Sequence, residues 1–162
     1  MSEYFNENEL GDQTKRPEIL LGSTYKIKPP VVDHAIYITI NDIFVYDQNG
    51  ELYRRPYEVF LNSKNVEHFA HEIAITRLIS AVFRKGGDCS FIIDELKSVY
   101  DPQGGYHIPK SKGQFAPSII AHIGVIIENH MKRIGYLSDE VDEHMQAYLE
   151  MKRKEFEQAQ FA

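Results

Sequence analysis

The sequence has one cysteine, no long apolar run and no excess of basic residues, and each of these features excludes a class of protein. The single cysteine, Cys89, excludes an intramolecular disulfide, a dithiol redox pair and a multi-cysteine zinc site. No apolar segment approaches the ~20 residues of a membrane-spanning helix. The N-terminal residues lack the basic start and apolar stretch of a signal peptide. We therefore expect a soluble, cytoplasmic protein with no membrane segment.

Acidic residues outnumber basic ones by 24 to 18, which gives a formal net charge of -6. Because affinity for phosphate backbones usually depends on a basic excess, this charge excludes a broad nucleic-acid surface. The acidity is concentrated at the ends, since residues 1–12 carry four acids and no base, and residues 138–162 carry seven acids and three bases. The middle therefore keeps 15 basic and 13 acidic residues and is nearly neutral, so a local site for an anion is not excluded there.

The chain has 162 residues, of which 43% are hydrophobic, as expected for one domain with a sizeable core. Its order is a polar segment, then strands, then helices. We divide it into a flexible acidic tail over residues 1–22, an α+β domain over 23–137 and a charged C-terminal helix over 138–162.

The clearest strand signal is HAIYITINDIFVYD, where isoleucines alternate with other residues at the period of a sheet. Asp47–Gly50 contains Asn-Gly and predicts a tight turn. The returning strand runs over about Leu52–Asn62, with an edge or bulge at Pro56. Tyr25–Pro30 could begin an edge strand. These elements predict a small antiparallel sheet made of a β-hairpin and an edge strand.

Apolar residues at helical spacing predict four helices in the second half of the chain. The first covers about Val66–Lys85 with Asn65 as its N-cap, and a shorter one follows Asp88. The third begins at Pro117 and runs to about Ile134, and the last follows Ser138. The predicted architecture is α+β, with the small antiparallel sheet packed against three to four helices.

Arg54 and Arg55 are the most prominent candidates for binding. Adjacent residues on a strand point to opposite faces, so at most one of the two can face a given pocket. A guanidinium can bind phosphate or carboxylate with paired donors, and Tyr53 or Tyr57 could supply a stacking surface. We favour the simpler interpretation of a charged edge that resists strand addition.

The string EHFAHE, which contains Glu67, His68, His71 and Glu72, could place ligands on one helix face. It does not match the spacing of a metalloprotease helix, and an ordinary polar helix face is the favoured interpretation.

The glycine-rich segment over residues 101–113 lacks the phosphate-loop pattern, so we interpret it as a connection between helices. Its Tyr106 and His107 remain candidates for binding. Packing is the favoured role for Cys89, and also for His122 and His130 among the isoleucines of the third helix.

Several segments in an unchanged order carry a family resemblance: GSTYKIKPPVVDHAIYITINDI, RRPYEVFLNSKN, ITRLISAVFRKGGD and IIDELKSVYDPQGGY. Together, over about residues 18–137, they resemble the TSCPD-type domain of adenosylcobalamin-dependent (class II) ribonucleotide reductases. The chain is most similar to the separate small component found where this reductase is split. The resemblance implies a part in making deoxyribonucleotides for DNA synthesis.

The resemblance also implies a division of roles. In reductases of that family that are split, the large component holds the cobalamin, the radical-bearing cysteine and the substrate pocket. One cysteine cannot be both radical site and reducing pair, and the chain lacks the Thr-Ser-Cys-Pro-Asp string that names the domain. We therefore expect a non-catalytic accessory component that binds the large component and binds no cofactor itself, with adenosylcobalamin on the partner. The alternative is a stand-alone nucleotide-binding or host-interaction module, of phage or mobile-element origin, that keeps the fold without the reductase.

We predict no catalytic residue and no metal ligand. The candidate binding residues are polar or aromatic side chains within the matched segments, and a homo-oligomer is compatible with the edge strand and the apolar helices. These candidates are Arg54, Arg55, Glu58, Asn62, Asn65, Arg84 and Tyr106.

Overall fold

A computed structural model describes residues 4–64, 69–138 and 143–160, with the backbone alone at positions 69 and 143–145. Strands occupy the first half and helices most of the second. The elements are β1 (Tyr4–Asn6), β2 (Leu21–Ile27), β3 (Ile36–Tyr46), β4 (Leu52–Ser63), α1 (Phe69–Lys85), α2 (Phe91–Lys97), β5 (Tyr106–His107), β6 (Phe115–Ala116), α3 (Ile119–Arg133) and α4 (Glu143–Gln160).

The main sheet is built around β3. β4 pairs with it in antiparallel fashion along its whole length. The other edge of β3 holds two shorter strands end to end: β2 pairs antiparallel with residues 36–42, and β1 pairs parallel with residues 44–46. The predicted α+β class is confirmed. The sheet is mixed rather than purely antiparallel, because an 11-residue strand leaves room for β1 beyond the end of β2.

The hairpin between β3 and β4 has the turn and the bulge that the sequence predicts. The Asp47 carboxylate accepts hydrogen bonds from the backbone N–H groups of Asn49 and Glu51, and Gly50 adopts a φ of 79°. The register shifts where Asn41 faces Glu58 and Asp42 faces Pro56, so Tyr57 is the extra residue of a β-bulge.

The main core lies between one face of the sheet and helices α1, α2 and α3. Its isoleucines from β3 pack with side chains of the three helices, among them Ile79, Phe83 and Ile127. Helix α1 runs beside β4, where the Ser80 hydroxyl accepts from the backbone N–H of Val59 and donates to its carbonyl. The hydroxyl thus satisfies polar groups at the edge of β4.

Within residues 4–20, for which the sequence predicts a flexible tail, β1 joins the main sheet and three apolar side chains pack on it. Phe5, Leu10 and Leu20 cover a second apolar cluster formed by Ile43, Val45 and Tyr57. The physical reason is that the three apolar side chains of the segment remove surface from water by lying on the sheet. The division of the chain at residues 22 and 137 stays a prediction.

The helix boundaries differ from the predicted ones in small ways. Asn65 and the predicted first turn of α1 lie outside the described residues. Helix α3 is capped by Ser118, whose hydroxyl accepts from the backbone N–H of Ala121, so Pro117 precedes the helix instead of opening it. The segment predicted as a plain connection contains the short strand β5, which pairs with β6 just beyond the segment.

Helix α4 contacts the rest of the chain at a few points along one side. The Tyr148 hydroxyl donates to the carbonyl of Ser98, and the Phe156 ring packs on Phe115 with centroids 5.4 Å apart. Over the described residues, no helix is both long enough and apolar enough to cross a bilayer.

Candidate functional site

A buried network of four side chains joins the sheet to α3. Oδ2 of Asp42 accepts from Nε and Nη2 of Arg54 at 3.0 and 2.8 Å, and Oδ1 lies 2.8 Å from Nε2 of His130. Nδ1 of His130 is 2.7 Å from the Tyr25 hydroxyl. Both ring nitrogens of His130 are therefore hydrogen-bonded, one to the carboxylate of Asp42 and the other to the hydroxyl of Tyr25.

This connectivity resembles a proton relay, but the burial argues for a structural role. Asp42 and His130 are each only 1% exposed. A reacting group must come within hydrogen-bond reach of a general base, and nothing from solvent reaches this imidazole. The network therefore fixes the position of Arg54, whose side chain is 26% exposed and reaches the surface.

Arg54 borders a group of exposed aromatic side chains that we call the aromatic patch. Cross-strand pairing sets Phe44 beside both Tyr4 and Arg54, and sets Tyr46 opposite Leu52. The Tyr4 ring centroid lies 5.7 Å from that of Phe44 and 6.1 Å from that of Tyr46. Tyr4, Tyr46 and Leu52 are 47%, 39% and 45% exposed.

The composition of the aromatic patch is that of a binding surface. Tyrosine and arginine are enriched where protein interfaces concentrate their binding energy. The Asp42 carboxylate fixes the Arg54 side chain, and a side chain that is already ordered loses little entropy when it forms a contact. The aromatic patch is therefore the accessible site that the structure supports best.

Arg55 points away from Arg54, as strand alternation predicts, and is buried. Its Nη1 donates to the carbonyl of Gly87 at 2.8 Å, its Nη2 donates to that of Phe83 at 3.2 Å, and the Tyr136 ring lies 5.6 Å away. The Phe83 carbonyl belongs to the last turn of α1 and the Gly87 carbonyl lies two residues beyond it, where a positive charge is favourable. Arg55 thus stabilises the end of a helix.

Glu58 is also buried and already paired. Both of its carboxylate oxygens accept from Nε of Arg16, Oε1 also accepts from Nη2 of Arg16 at 2.7 Å, and Oε1 accepts from the Asn41 amide as well. The bidentate pair attaches the N-terminal segment to β4.

Tyr106 is the third buried candidate. Its hydroxyl lies 2.7 Å from Nδ1 of His122, and burial raises the pKa of Tyr106. Burial also lowers the pKa of His122 to about 4. A neutral imidazole therefore accepts from the hydroxyl and holds β5 on α3.

The remaining candidates are dispersed. Asn62 is exposed near the far end of β4 from Arg54, Arg84 is half-buried on α1, and Asn65 lies outside the described residues. The structure therefore does not bring the seven predicted residues into one site. Their predicted roles in binding stay predictions.

Asp42 and Tyr25 were missed by the sequence reasoning, and His130 was assigned to packing alone. One signal could have found the network. Asp42 continues the inward series of Ile36, Ile38 and Ile40 on β3, and a carboxylate at a buried position requires a partner.

Cys89 is buried, as predicted for a packing role. Its thiol donates to the Tyr136 hydroxyl at 3.5 Å, and burial raises the pKa of Cys89. Because the thiolate is the reactive form, this cysteine is a poor nucleophile and a poor redox group.

A cleft of about 1040 Å³ separates α4 from α2 and α3. Within it, Glu128 pairs with Lys97 at 2.6 Å and with Lys132 at 3.1 Å. Burial raises the pKa of Glu128, but the hydrogen bonds and charges of the two lysines outweigh burial and lower it. The cleft lining is nearly balanced in charge, because its bases are Lys97, Lys112, Lys132 and Arg153 and its acids are Asp94, Glu128 and Glu150.

The EHFAHE string lies partly outside the described residues. Glu67 and His68 lie outside the described residues, and His71 is exposed on α1. Within residues 4–64, 69–138 and 143–160, no three His, Cys, Asp or Glu side chains are grouped as metal ligands.

The helices and the mixed sheet define an α+β domain with polar and aromatic side chains accessible on its surface. Residues 11–131 match the family model of the TSCPD domain, so the chain belongs to that family. This domain is found in class II ribonucleotide reductases, which confirms the resemblance that the sequence motifs carry. No curated protein and no solved structure gives a significant match. Helix α4 lies beyond the matched residues.

Proposed function

We propose that this protein is a non-catalytic accessory component of a cobalamin-dependent ribonucleotide reductase. It supports deoxyribonucleotide synthesis by binding the large catalytic component, which carries the adenosylcobalamin. The observation that carries the proposal is the TSCPD family match over residues 11–131, since this domain is found in class II reductases.

The state of Cys89 supports a role without thiol chemistry. The resemblance implies that the reductase reaction depends on several reactive cysteines of the large component. The only cysteine of this chain is buried, and its thiol donates a hydrogen bond to the Tyr136 hydroxyl. Burial raises the pKa of this thiol. A group in this state neither relays electrons nor holds a radical for the partner.

The aromatic patch supports the binding part of the proposal. It places Tyr4, Tyr46 and Leu52 in solvent beside a guanidinium that is fixed from below. Buried against a partner, such side chains supply most of the free energy of an interface. We therefore assign the aromatic patch as the surface that meets the large component.

The test is a binding and activity experiment with the purified large component from the same cells. The full chain is expected to co-purify with it and to change the rate of deoxynucleotide formation. Tyr46→Ala is expected to weaken binding by about 10-fold, which corresponds to about 1.4 kcal/mol. Met151→Ala is the matched control, because Met151 is 48% exposed on α4, away from the aromatic patch. A large component that is fully active alone and never binds the chain would refute the proposal.

A further inference from the structure

Part of the main-sheet face that points away from the helices is exposed, at the end where β2, β3 and β4 lie side by side, and its residues form cross-strand rows. The strand register aligns Lys26 with Tyr37 and Asn62, and aligns Thr24 with Thr39 and Phe60. We call these six residues the outer face. Along β3 and β4 they alternate with core residues such as Ile38 and Leu61, so they lie on the opposite side from the helices.

Two aromatic rings lie uncovered on the outer face. Tyr37 is 41% exposed and Phe60 is 53% exposed. Tyr37 faces Asn62, two residues from Phe60, so the two aromatic residues are diagonal neighbours on adjacent strands. The face beside them is polar, since the Thr24 and Thr39 hydroxyls form a hydrogen bond of 2.8 Å.

The charges around the outer face favour an anionic ligand. Lys26 lies on β2 beside Tyr37, and Lys64 follows the end of β4. Neither lysine makes an ion pair with a carboxylate in the described ranges. The acid of the next row, Glu58, is already neutralised by Arg16. The net charge of -6 does not contradict this, because the acidity is concentrated in the terminal segments.

A cavity of about 200 Å³ opens at one end of the outer face. It is lined by His34, Ala35, Tyr37, Asn62, Ser63 and Lys64. The Asn62 amide offers one acceptor and two donors, which is the pattern that reads the edge of a base. The Tyr37 ring beside it offers a surface for stacking.

We propose that the outer face binds single-stranded nucleic acid. Two bases stack on Tyr37 and Phe60, Asn62 contacts the edge of the base in the cavity, and Lys26 and Lys64 neutralise phosphates. Sheets with exposed aromatic residues and flanking cations hold unpaired strands in this manner. A double helix does not fit, because its bases are already stacked. This activity is separate from the proposed reductase role and does not depend on it.

The test measures fluorescence anisotropy of a labelled ten-nucleotide oligothymidylate on the full-length protein. If one base stacks on each ring, Tyr37→Ala and Phe60→Ala should each lower the affinity for the oligonucleotide by about 5-fold or more. Both residues are exposed, so the variants are expected to fold, and their melting temperatures check this. Tyr4→Ala is the matched control, because Tyr4 is 47% exposed in the aromatic patch and should leave oligonucleotide binding unchanged.

The lysines are tested by the salt dependence of the same binding. Removing two phosphate contacts with the double variant Lys26→Gln and Lys64→Gln should reduce the slope of log K against log salt by about 1.4. An unchanged slope would remove the lysines from the site and overturn the proposal as stated.

Three further outcomes would overturn the proposal. The first is the absence of oligonucleotide binding, and the second is binding that Tyr37→Ala and Phe60→Ala leave intact. The third is a ten-base-pair duplex, or free thymidine nucleotides, binding as tightly as the single strand. Loss of the reductase partner by Tyr37→Ala, without any oligonucleotide binding, would show that the outer face is a protein interface instead. The proposed reductase role is tested separately, by measuring how the wild type and Tyr46→Ala bind the large component.

Discussion

Asp42 shows how a single buried carboxylate can organise a surface. It accepts two hydrogen bonds from Arg54 and one from His130, while its own side chain has no exposure. A buried charge is costly unless its partners and hydrogen bonds compensate for the lost water. Here the compensation comes from β4 and from α3, so the carboxylate joins two elements and orients the arginine of the aromatic patch.

Replacing Asp42 by asparagine is therefore expected to destabilise the protein. The amide keeps the shape, but it removes the negative charge and sets an N–H₂ donor against the donors of Arg54 or His130. We expect the free energy of unfolding to fall by about 3 kcal/mol, at the low end of the range for broken buried pairs, because Arg54 can turn partly to water. Urea denaturation measures this change.

The control is Asp47→Asn in the hairpin turn. Its amide oxygen can still accept from the backbone N–H groups of Asn49 and Glu51, so the change in stability should be small. Equal stability of the Asp42→Asn and Asp47→Asn proteins would contradict the assigned role of Asp42.

His122 makes stability depend on pH. Burial lowers its pKa from 6.5 to about 4, so the unfolded chain binds a proton that the folded protein excludes between these values. The contribution of the neutral His122 to the free energy of unfolding is fully present above pH 6.5 and is lost as the pH falls towards 4. At about 1.4 kcal/mol per pKa unit, the loss is about 3 kcal/mol.

The variant His122→Asn isolates this contribution. Its side-chain oxygen can accept from the Tyr106 hydroxyl near the position of Nδ1, but it does not titrate. We expect a shallower fall in the free energy of unfolding between pH 6.5 and 4.5 than in the wild type, as measured by urea denaturation at each pH. Identical slopes for the two proteins would show that His122 is not the titrating group.

At the scale of elements, the parts predicted correctly from sequence are those with local signals. Alternation along β3, the Asn-Gly turn and Pro56 each act within a few residues, and together they predict the hairpin and its bulge. The three-residue β1 and the two-residue β5 and β6 have no such signal. β1 exists because the end of β3 leaves an edge free, which is a property of the assembled sheet.

The residues around Arg54 and Arg55 show the same difference between local signals and long-range contacts. Alternation on β4 predicts that Arg54 and Arg55 point to opposite faces, and this is confirmed. Their partners could not be predicted, because Arg54 binds a residue 12 positions away and Arg55 binds carbonyls 28 and 32 positions away. The contact of His130 with Asp42 spans 88 positions, so only the tertiary structure defines the network.

The packing of α2 on α3 depends on the absence of a side chain at Gly124. A Cβ there would lie 2.9 Å from Cβ of Leu96 and 3.2 Å from the backbone nitrogen of Lys97, neither of which can move independently of α2. We expect Gly124→Ala to lower the free energy of unfolding by about 1–3 kcal/mol, despite the better helix propensity of alanine.

Thermal and urea denaturation measure the effect of Gly124→Ala. Gly11→Ala is the control, since a Cβ at Gly11 meets nothing within 4 Å and its backbone is not left-handed. A Gly124→Ala protein that is as stable as the wild type would mean that the two helices are not in close contact.

At the scale of the whole molecule, the two ends are attached with different strength. The N-terminal segment covers an apolar cluster and pairs Arg16 with the buried Glu58. Helix α4 follows the family-matched region and borders a cleft of about 1040 Å³. Over the described residues, its attachments are contacts of individual side chains such as Tyr148 and Phe156, and none of these residues belongs to either apolar cluster.

This difference predicts an order of opening that hydrogen exchange can measure. Amides of α3 and β3 are expected to exchange only when the whole protein unfolds, because both elements contribute to the main core. Amides of α4 are expected to exchange sooner, through local detachment of the helix. Phe156→Ala removes the ring that packs on Phe115, so it should speed exchange in α4 and leave α3 unchanged. Met151→Ala, an exposed position on the same helix, should change neither rate. Protection of α4 equal to that of α3 would mean that the C-terminal helix unfolds together with the domain and is not a separate unit.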